Sequence, residues 1–158
     1  MTRSISYGTS IALAAAVLAI AGCGGDDEGG DVVSRADVEG TEVLADAQGR
    51  TLYTAAVEEG GKILCVGACT SFWEPVVASP GDAERAAGDL EADLSVLERP
   101  DGDQQLTLDG LPLYTFTEED AGQLTGDGFV DDFRGTHFEW SAARTGGGSA
   151  SRGGTNGY

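Results

Sequence analysis

Short runs of alternating apolar and polar residues dominate the middle of the chain. Residues 42–45 and 50–55 form two such runs on either side of an Asp-Ala-Gln-Gly segment at 46–49, which indicates a strand, a turn and a second strand. In the second run, Leu52 and Tyr53 point to opposite faces of the strand. We therefore expect one face of this hairpin to pack and the other to be partly solvated.

The second half of the chain contains three further runs, at residues 95–99, 104–108 and 111–117. Their separators, residues 100–103 and the dipeptide Asp109-Gly110, are strong turn formers. Pro112 lacks a backbone donor, so it must begin its strand or lie on an open edge. Only residues 82–94 have a helix-like composition, and Gly88 weakens that helix. The pattern predicts an all-β fold, a small domain of short antiparallel strands.

An apolar run at residues 11–21 precedes these strands. It is too short for a membrane-spanning helix, which needs roughly 18 to 20 residues, and Arg3 supplies the positive charge typical of an export signal. The small residues Ala21 and Gly22 are followed directly by Cys23. We interpret residues 1–22 as a lipoprotein signal peptide and Cys23 as the acylated first residue of the mature protein. The alternative is an ordinary signal peptide with an unrelated cysteine.

An acylated Cys23 would carry the two or more chains that stable anchoring requires, so the predicted location is the extracytoplasmic face of a bacterial cell membrane. Composition divides the remainder of the chain. Residues 23–40 are rich in Gly and Asp and are predicted to be a flexible linker, and residues 146–158 are rich in Gly and Ser and are predicted to be a disordered tail. Residues 41–145 are left to form one domain.

Acidic residues outnumber basic ones three to one, with 27 Asp and Glu against 9 Lys and Arg. Removal of residues 1–22 takes away only Arg3, which leaves 8 against 27 and a net charge of −19. Such a charge argues against nucleic acid and anionic membrane surfaces as partners. Cationic partners, metal ions or a merely solvated acidic surface are compatible with it.

The chain contains a candidate internal repeat. The segment at residues 49–54, Gly-Arg-Thr-Leu-Tyr-Thr, aligns with Gly-Leu-Pro-Leu-Tyr-Thr at 110–115, and acidic residues follow the tyrosine in both copies. Each half then reaches a tryptophan with a phenylalanine close by, Trp73 in the first and Trp140 in the second. This common order predicts two tandem copies of one unit, at about residues 41–80 and 95–142.

These residues resemble a family of bacterial lipoproteins known as the secreted repeat of unknown function. The family carries a Tyr-x-(Phe/Trp/Tyr)-x-x-Asp motif in tandem copies, and its first copy typically ends in Cys-x-Gly-Ala-Cys followed by Trp and Pro. Here residues 65–69 read Cys-Val-Gly-Ala-Cys, with Trp73 and Pro75 after them. The second copy reads Tyr114-Thr-Phe116-Thr-Glu-Glu119, with Glu at the Asp position.

The first copy departs further from this motif, because Ala55 stands where an aromatic residue is expected after Tyr53. The resemblance covers roughly residues 41–142. It implies a lipoprotein of the cell envelope with a small repeat domain, and it brings no substrate with it.

Cys65 and Cys69 are the two cysteines within the predicted domain. Outside the cytoplasm such a pair is typically a disulfide, and a reversible redox pair or a metal site are the alternatives. A metal site needs about four ligands, and His137 is the single histidine that could join them. No C-x-x-C-H haem motif and no Gly-x-Ser-x-Gly, P-loop or Ser-x-x-Lys motif is present. We therefore predict no enzyme activity, no cofactor and no metal.

The aromatic residues give two hypotheses for the domain. They could form a sugar- or peptide-binding surface, or they could be its core and cross-strand pairs. The candidate surface residues are Tyr53, Tyr114, Phe116, Trp73 and Trp140, with Phe72 and Phe138 in the wider aromatic set. The acidic residues at 118–120 and 127–132 could form a weak calcium site or a solvated loop. The leading expectation is a non-enzymatic binding or interaction module with an envelope protein or glycan as partner. The alternative is a redox, metal or haem-related protein that uses Cys65, Cys69 and His137.

Overall fold

The computed structural model describes residues 30–146. The predicted signal peptide, Cys23 and almost all of the predicted C-terminal tail therefore lie outside the described residues. Ten strands and one α-helix make up the described fold, together with two short 3₁₀ helices at Ala56–Glu58 and Gly67–Ser71. The prediction of an all-β domain of short antiparallel strands is confirmed.

The strands form three antiparallel sheets. In chain order the elements are β1 (Val33–Val38), β2 (Thr41–Asp46), β3 (Leu52–Ala55), β4 (Trp73–Pro75), α1 (Pro80–Leu90), β5 (Leu94–Glu98), β6 (Gln104–Leu108), β7 (Leu111–Pro112), β8 (Tyr114–Phe116), β9 (Val130–Phe133) and β10 (Thr136–Ala142). β1 and β2 pair as a hairpin, β5, β6 and β7 form a three-stranded sheet in that order, and the central sheet has the order β4-β8-β3-β10-β9.

The first strand corrects the predicted boundary between linker and domain. Residues 33–40 were expected in the flexible linker, but Val33–Val38 form β1 and pair along their whole length with β2. The two end residues, Val33 and Val38, are buried and hold the strand against the domain. The intervening polar residues and the Gly- and Asp-rich segment before them hid this strand in the composition.

Two-residue turns set the register of the hairpins. Glu39-Gly40, Asp109-Gly110 and Arg134-Gly135 all have positive φ at both positions, which is the type I′ geometry that matches strand twist. Asp109-Gly110 was predicted from sequence. Pro112, next to it, lies in β7 at an edge of the three-stranded sheet, where its missing backbone donor is tolerated.

The helix begins earlier than its composition suggested. Ser79 caps it by accepting a hydrogen bond from the backbone N–H of Asp82, and Pro80 occupies the first turn. It ends at Leu90, and its C-cap Glu91 has a left-handed φ of 49°. Leu94, the last residue of the helix-like segment, begins β5 instead.

Two hydrophobic clusters form the core. One is aliphatic and includes Leu52, Leu106 and Leu113 beneath α1; the other is aromatic and includes Tyr53 and Trp73. Leu52 and Tyr53 belong to different clusters although they are neighbours in β3, because successive side chains of a strand point to opposite faces. Both are fully buried, and Thr54, on the Leu52 face, is half-buried, so the partial solvation expected for one face of β3 is confined to Thr54. The central sheet is covered on both faces at this strand.

Candidate functional site

Four aromatic rings stack on one face of the central sheet. The ring of Trp73 in β4 lies 4.5 Å from Phe116 in β8 and 3.9 Å from Trp140 in β10, and Trp140 lies 5.4 Å from Phe138. The planes of successive rings differ by 19°, 13° and 6°. Strands β8 and β3 lie between β4 and β10 in the sheet, so contact between the two indoles requires the sheet to curl strongly around the stack.

A single carboxylate joins the two tryptophans. Trp73 Nε1 donates to one oxygen of Asp131 at 2.9 Å, and Trp140 Nε1 donates to the other oxygen at 3.1 Å. Asp131 lies in β9 at the edge of the sheet, opposite Phe138 in register. Both buried indole donors are thereby satisfied, and β9 is tied across to β4.

The tyrosines of the two predicted copies exchange carboxylate partners. Tyr53 and Tyr114 are directly opposite each other in the pairing of β3 with β8. The Tyr53 hydroxyl donates to Glu119 at 2.7 Å, and the Tyr114 hydroxyl donates to Glu58 at 3.1 Å. Each tyrosine therefore bonds the glutamate that follows the other one. Each ring also meets a tryptophan edge-on, Tyr53 with Trp73 and Tyr114 with Trp140.

The two glutamates are anchored by backbone donors of their own copies. Glu58 accepts from the N–H groups of Leu64 and Cys65 at 2.6 and 2.8 Å, and Glu119 accepts from the N–H of Gly126 at 3.0 Å. Burial raises the pKa of Glu58, and the backbone donors oppose that rise.

Burial also raises the pKa of both tyrosines above the usual range. The bonded carboxylates, Glu119 for Tyr53 and Glu58 for Tyr114, act in the same direction. Both phenols therefore stay protonated and act as donors at neutral pH.

Cys65 and Cys69 form a disulfide, with their Cα atoms 5.2 Å apart. Both residues are fully buried in the aromatic cluster, and the backbone N–H of Cys65 is one of the two that bond Glu58. The disulfide therefore closes the loop that holds Glu58 in place.

The other groups of the alternative hypothesis do not converge. His137 is exposed on β10 and contacts Asp132 at 3.1 Å. Within residues 30–146 no three His, Cys, Asp or Glu side chains are close enough together to hold a metal ion.

The acidic loop residues have separate roles in the fold. Asp127 accepts from the backbone N–H of Ala142 at 2.7 Å and pairs with Arg144 at 3.1 Å, while Glu119 and Asp131 bond the aromatic cluster. Their oxygens are directed to different protein donors and do not form a shared cation site.

The five candidate surface residues are buried. Tyr53, Tyr114, Trp73 and Trp140 have no exposed area, and Phe116 retains 7%. The prediction of a binding surface made of these side chains is corrected, because the curled sheet turns them inward. They form the core that was the competing hypothesis.

The exposed aromatic residues lie outside these five, although Phe72 belongs to the wider aromatic set considered from sequence. Phe72 and Phe129 are 43% and 40% exposed, and the adjacent Val130 is 50% exposed. Phe129 packs 5.1 Å from Phe116, and Phe72 lies 6.1 Å from the half-buried Phe133. We call Phe72, Phe129, Val130 and Phe133 the aromatic rim.

Sequence reasoning included Phe72 among the candidate surface aromatics but missed Phe129, Val130 and Phe133, which lie in a stretch that its Asp and Gly residues marked as a solvated loop. Two consecutive apolar residues inside such a loop were the available signal.

The fold and the site together define a small all-β domain with an aromatic core. A family model described as a secreted repeat of unknown function matches residues 95–137, which confirms the resemblance for the second predicted copy. No curated protein and no solved structure matches the chain. Among residues 30–146, no helix has the length and hydropathy needed to cross a bilayer.

Proposed function

We propose that this protein is a lipid-anchored module of the bacterial cell envelope that binds a partner through the aromatic rim. The matched family supports an extracytoplasmic role. The anchor is proposed from the sequence: a short apolar run ends at Ala21-Gly22, and Cys23 follows. Acylation of Cys23 would hold the domain at the outer face of the membrane.

The tether is short. Six residues separate Cys23 from Gly30, where the described residues begin, and an extended chain spans at most about 3.5 Å per residue. The domain therefore begins within roughly 25 Å of the lipid anchor. Its strongly acidic composition repels an anionic lipid surface, which favours a partner in the envelope over the bilayer itself.

The observation that carries the binding role is the exposure of the aromatic rim. The domain buries its tyrosines and tryptophans, yet it leaves two phenylalanines and a valine, Phe72, Phe129 and Val130, 40–50% exposed. Phe129 contacts the stack through Phe116 and Trp73, so its ring is supported from below. Exposed apolar side chains that rest on packed rings in this way are typical of an interaction site.

Site-specific photo-crosslinking in the native host tests this proposal. A benzophenone analogue of phenylalanine at position 72 or 129 preserves aromatic character, and the same analogue at Val57, which is 36% exposed elsewhere, is the matched control. We expect positions 72 and 129 to capture the same protein or glycan, identified by mass spectrometry, and position 57 to capture none of it. Equal capture at all three positions, or none at the rim, would contradict the proposed binding role.

A further inference from the structure

Two clefts open on the opposite face of the central sheet from the aromatic stack. The larger encloses about 480 Å³ between the turn after β2, strand β4 and the start of α1. The smaller, of about 290 Å³, lies between the end of the same strand and the turn that contains Asp101 and Asp103. They share three lining residues, Glu74, Pro75 and Val77, so one ligand that crosses this segment could occupy both.

Each cleft is lined by three carboxylates and one guanidinium. The larger has Asp46, Glu74 and Asp82 with Arg50, and the smaller has Glu74, Asp101 and Asp103 with Arg99. Both clefts are therefore net negative, on a chain that is itself strongly acidic. This electrostatic field attracts cationic ligands.

An unpartnered hydroxyl provides a second, independent indication of a ligand. Thr115 is directly opposite Glu74 in the pairing of β8 with β4, so the two side chains lie on the same face of the sheet and line the larger cleft. Thr115 is 2% exposed, and its Oγ1 has no hydrogen-bond partner within residues 30–146. Buried hydroxyls are normally satisfied, because an unpaired one lowers stability.

The pair that adjoins this hydroxyl is easily exchanged. Arg50 contacts Glu74 at 3.0 Å, and Glu74 is 55% exposed. Ion pairs with this exposure contribute little to stability. Arg50 also contacts Asp46 at 2.8 Å, so it would still have an acidic partner if Glu74 turned towards a ligand. Rotation of Glu74 and Arg50 would open the cleft wall at Thr115.

We propose that the two clefts bind an extended ligand with two primary ammonium groups, a di- or polyamine, one group in each cleft. An ammonium is a compact charge with three donors, which suits Glu74 and the Thr115 hydroxyl as acceptors in the larger cleft. Asp101 and Asp103 receive the second ammonium. The exposed Val77 between the clefts packs on the methylene chain that joins the two groups.

Titration calorimetry on the soluble chain from residue 24 onward, at fixed ionic strength, tests this site. The probes are 1,5-diaminopentane and spermidine, with 1-aminopentane and 1,5-pentanediol as controls. We expect both amines with two or more charges to bind at least tenfold more tightly than the monoamine, and no heat of binding for the diol. Equal affinity for monoamine and diamine would overturn the proposal, because it would show that the second ammonium group makes no favourable contact with the smaller cleft.

Three variants separate a specific site from bulk charge. Glu74→Gln and Thr115→Val should each weaken diamine binding at least tenfold, whereas Glu84→Gln, an exposed carboxylate on α1 outside both clefts, should leave it unchanged. The valine is isosteric, so Thr115→Val should keep or raise the melting temperature while it weakens binding. Loss of binding in Glu84→Gln, or full binding in both cleft variants, would overturn the assignment.

A peptide with two lysines distinguishes the source of the ammonium groups. Tighter binding of the peptide than of the diamine, abolished by the same two cleft variants, would assign the ligand to a protein segment with the same chemistry. Weaker binding of the peptide assigns it to a free amine.

Discussion

Replacing Tyr53 by phenylalanine removes one hydroxyl from the centre of the aromatic cluster and leaves the ring in place. That hydroxyl donates to Glu119, with its oxygen 2.7 and 2.9 Å from the two carboxylate oxygens, and the backbone N–H of Gly126 donates to it at 3.3 Å. Without it, Glu119 keeps donors from Thr125 and Gly126 on one oxygen, and its other oxygen loses its protein partner.

The expected loss follows from this unpaired oxygen. Removal of a buried hydrogen bond to a charged group costs about 1.5–3 kcal/mol, so we expect the free energy of unfolding to fall by about 2 kcal/mol. In Tyr114→Phe, the affected oxygen of Glu58 keeps two backbone donors, at 2.6 and 2.8 Å. The loss there should be smaller, about 1 kcal/mol. At about 4 °C per kcal/mol for a domain of this size, the melting temperatures should fall by roughly 8 and 4 °C.

Urea unfolding and thermal unfolding of the soluble chain from residue 24 onward measure both variants. Glu118→Gln is the matched control, because this exposed carboxylate adjoins Glu119 in sequence and its loss should cost less than about 0.5 kcal/mol. The reasoning would be refuted if the free energy of unfolding of Tyr53→Phe lay within about 0.5 kcal/mol of wild type. It would also be refuted if Tyr114→Phe lost more stability than Tyr53→Phe, because the loss is expected to depend on how many donors the carboxylate oxygen keeps.

Four further variants are compared by the same unfolding measurements. Glu58→Gln imitates the protonated acid. Because the pKa of Glu58 is raised in the folded state, this carboxyl contributes stability below about pH 4.5 and loses that contribution as the pH rises through its folded pKa. The free energy of unfolding of the variant should therefore fall less with rising pH, and at pH 7 the variant should be at least as stable as the wild type. Gly126→Ala would place a Cβ 2.7 Å from the Tyr53 ring and should lower the free energy of unfolding by about 1–3 kcal/mol. Its control is Gly88→Ala in α1, where the added Cβ meets open space and the free energy of unfolding should rise by about 0.5–1 kcal/mol. Replacing both cysteines of the Cys65–Cys69 disulfide by alanine should cost about 2 kcal/mol, and an unchanged urea midpoint would contradict the proposed support of Glu58.

The strands that sequence predicted best are those marked by local signals. β6 begins and ends as predicted, and β2, β3 and β5 lie within about a residue or two of their predicted bounds, because alternation and the dipeptide Asp109-Gly110 act over a few residues. β1 was assigned to the linker because the turn that follows it, Glu39-Gly40, lacks the usual sequence signal. Its first residue has a left-handed φ, a conformation for which Asn, Asp or Gly is typical at this position, but here the residue is Glu39. A turn with an unusual first residue leaves no clear mark in composition.

The candidate site depended on long-range geometry and was predicted only in part. Both copies show a glutamate five residues after the tyrosine, at 58 and 119, but sequence could not show that each glutamate bonds the tyrosine of the other copy. That exchange follows from the antiparallel pairing of β3 with β8. The curl of the sheet likewise decides which aromatics are buried, and it is set by packing between segments as distant in the chain as Trp73 and Trp140.

The exchange of partners gives the two predicted copies a shared core. Neither copy satisfies its own tyrosine, and the two indoles share Asp131 from the second copy. We infer that the copies fold as one cooperative unit, which agrees with the burial of Trp73 and Trp140 against each other. The prediction that they arose as tandem repeats rests on their sequence alignment.

The central claim is that Cys23 tethers the domain outside the membrane. The most direct test of this claim is the mass of the N-terminal peptide of the native mature protein. Protein isolated from membranes of the native host should give a first peptide that begins at Cys23 and carries the mass of a diacylglyceryl group. A mature chain that begins at any other residue, or a Cys23 without lipid mass, would contradict the account.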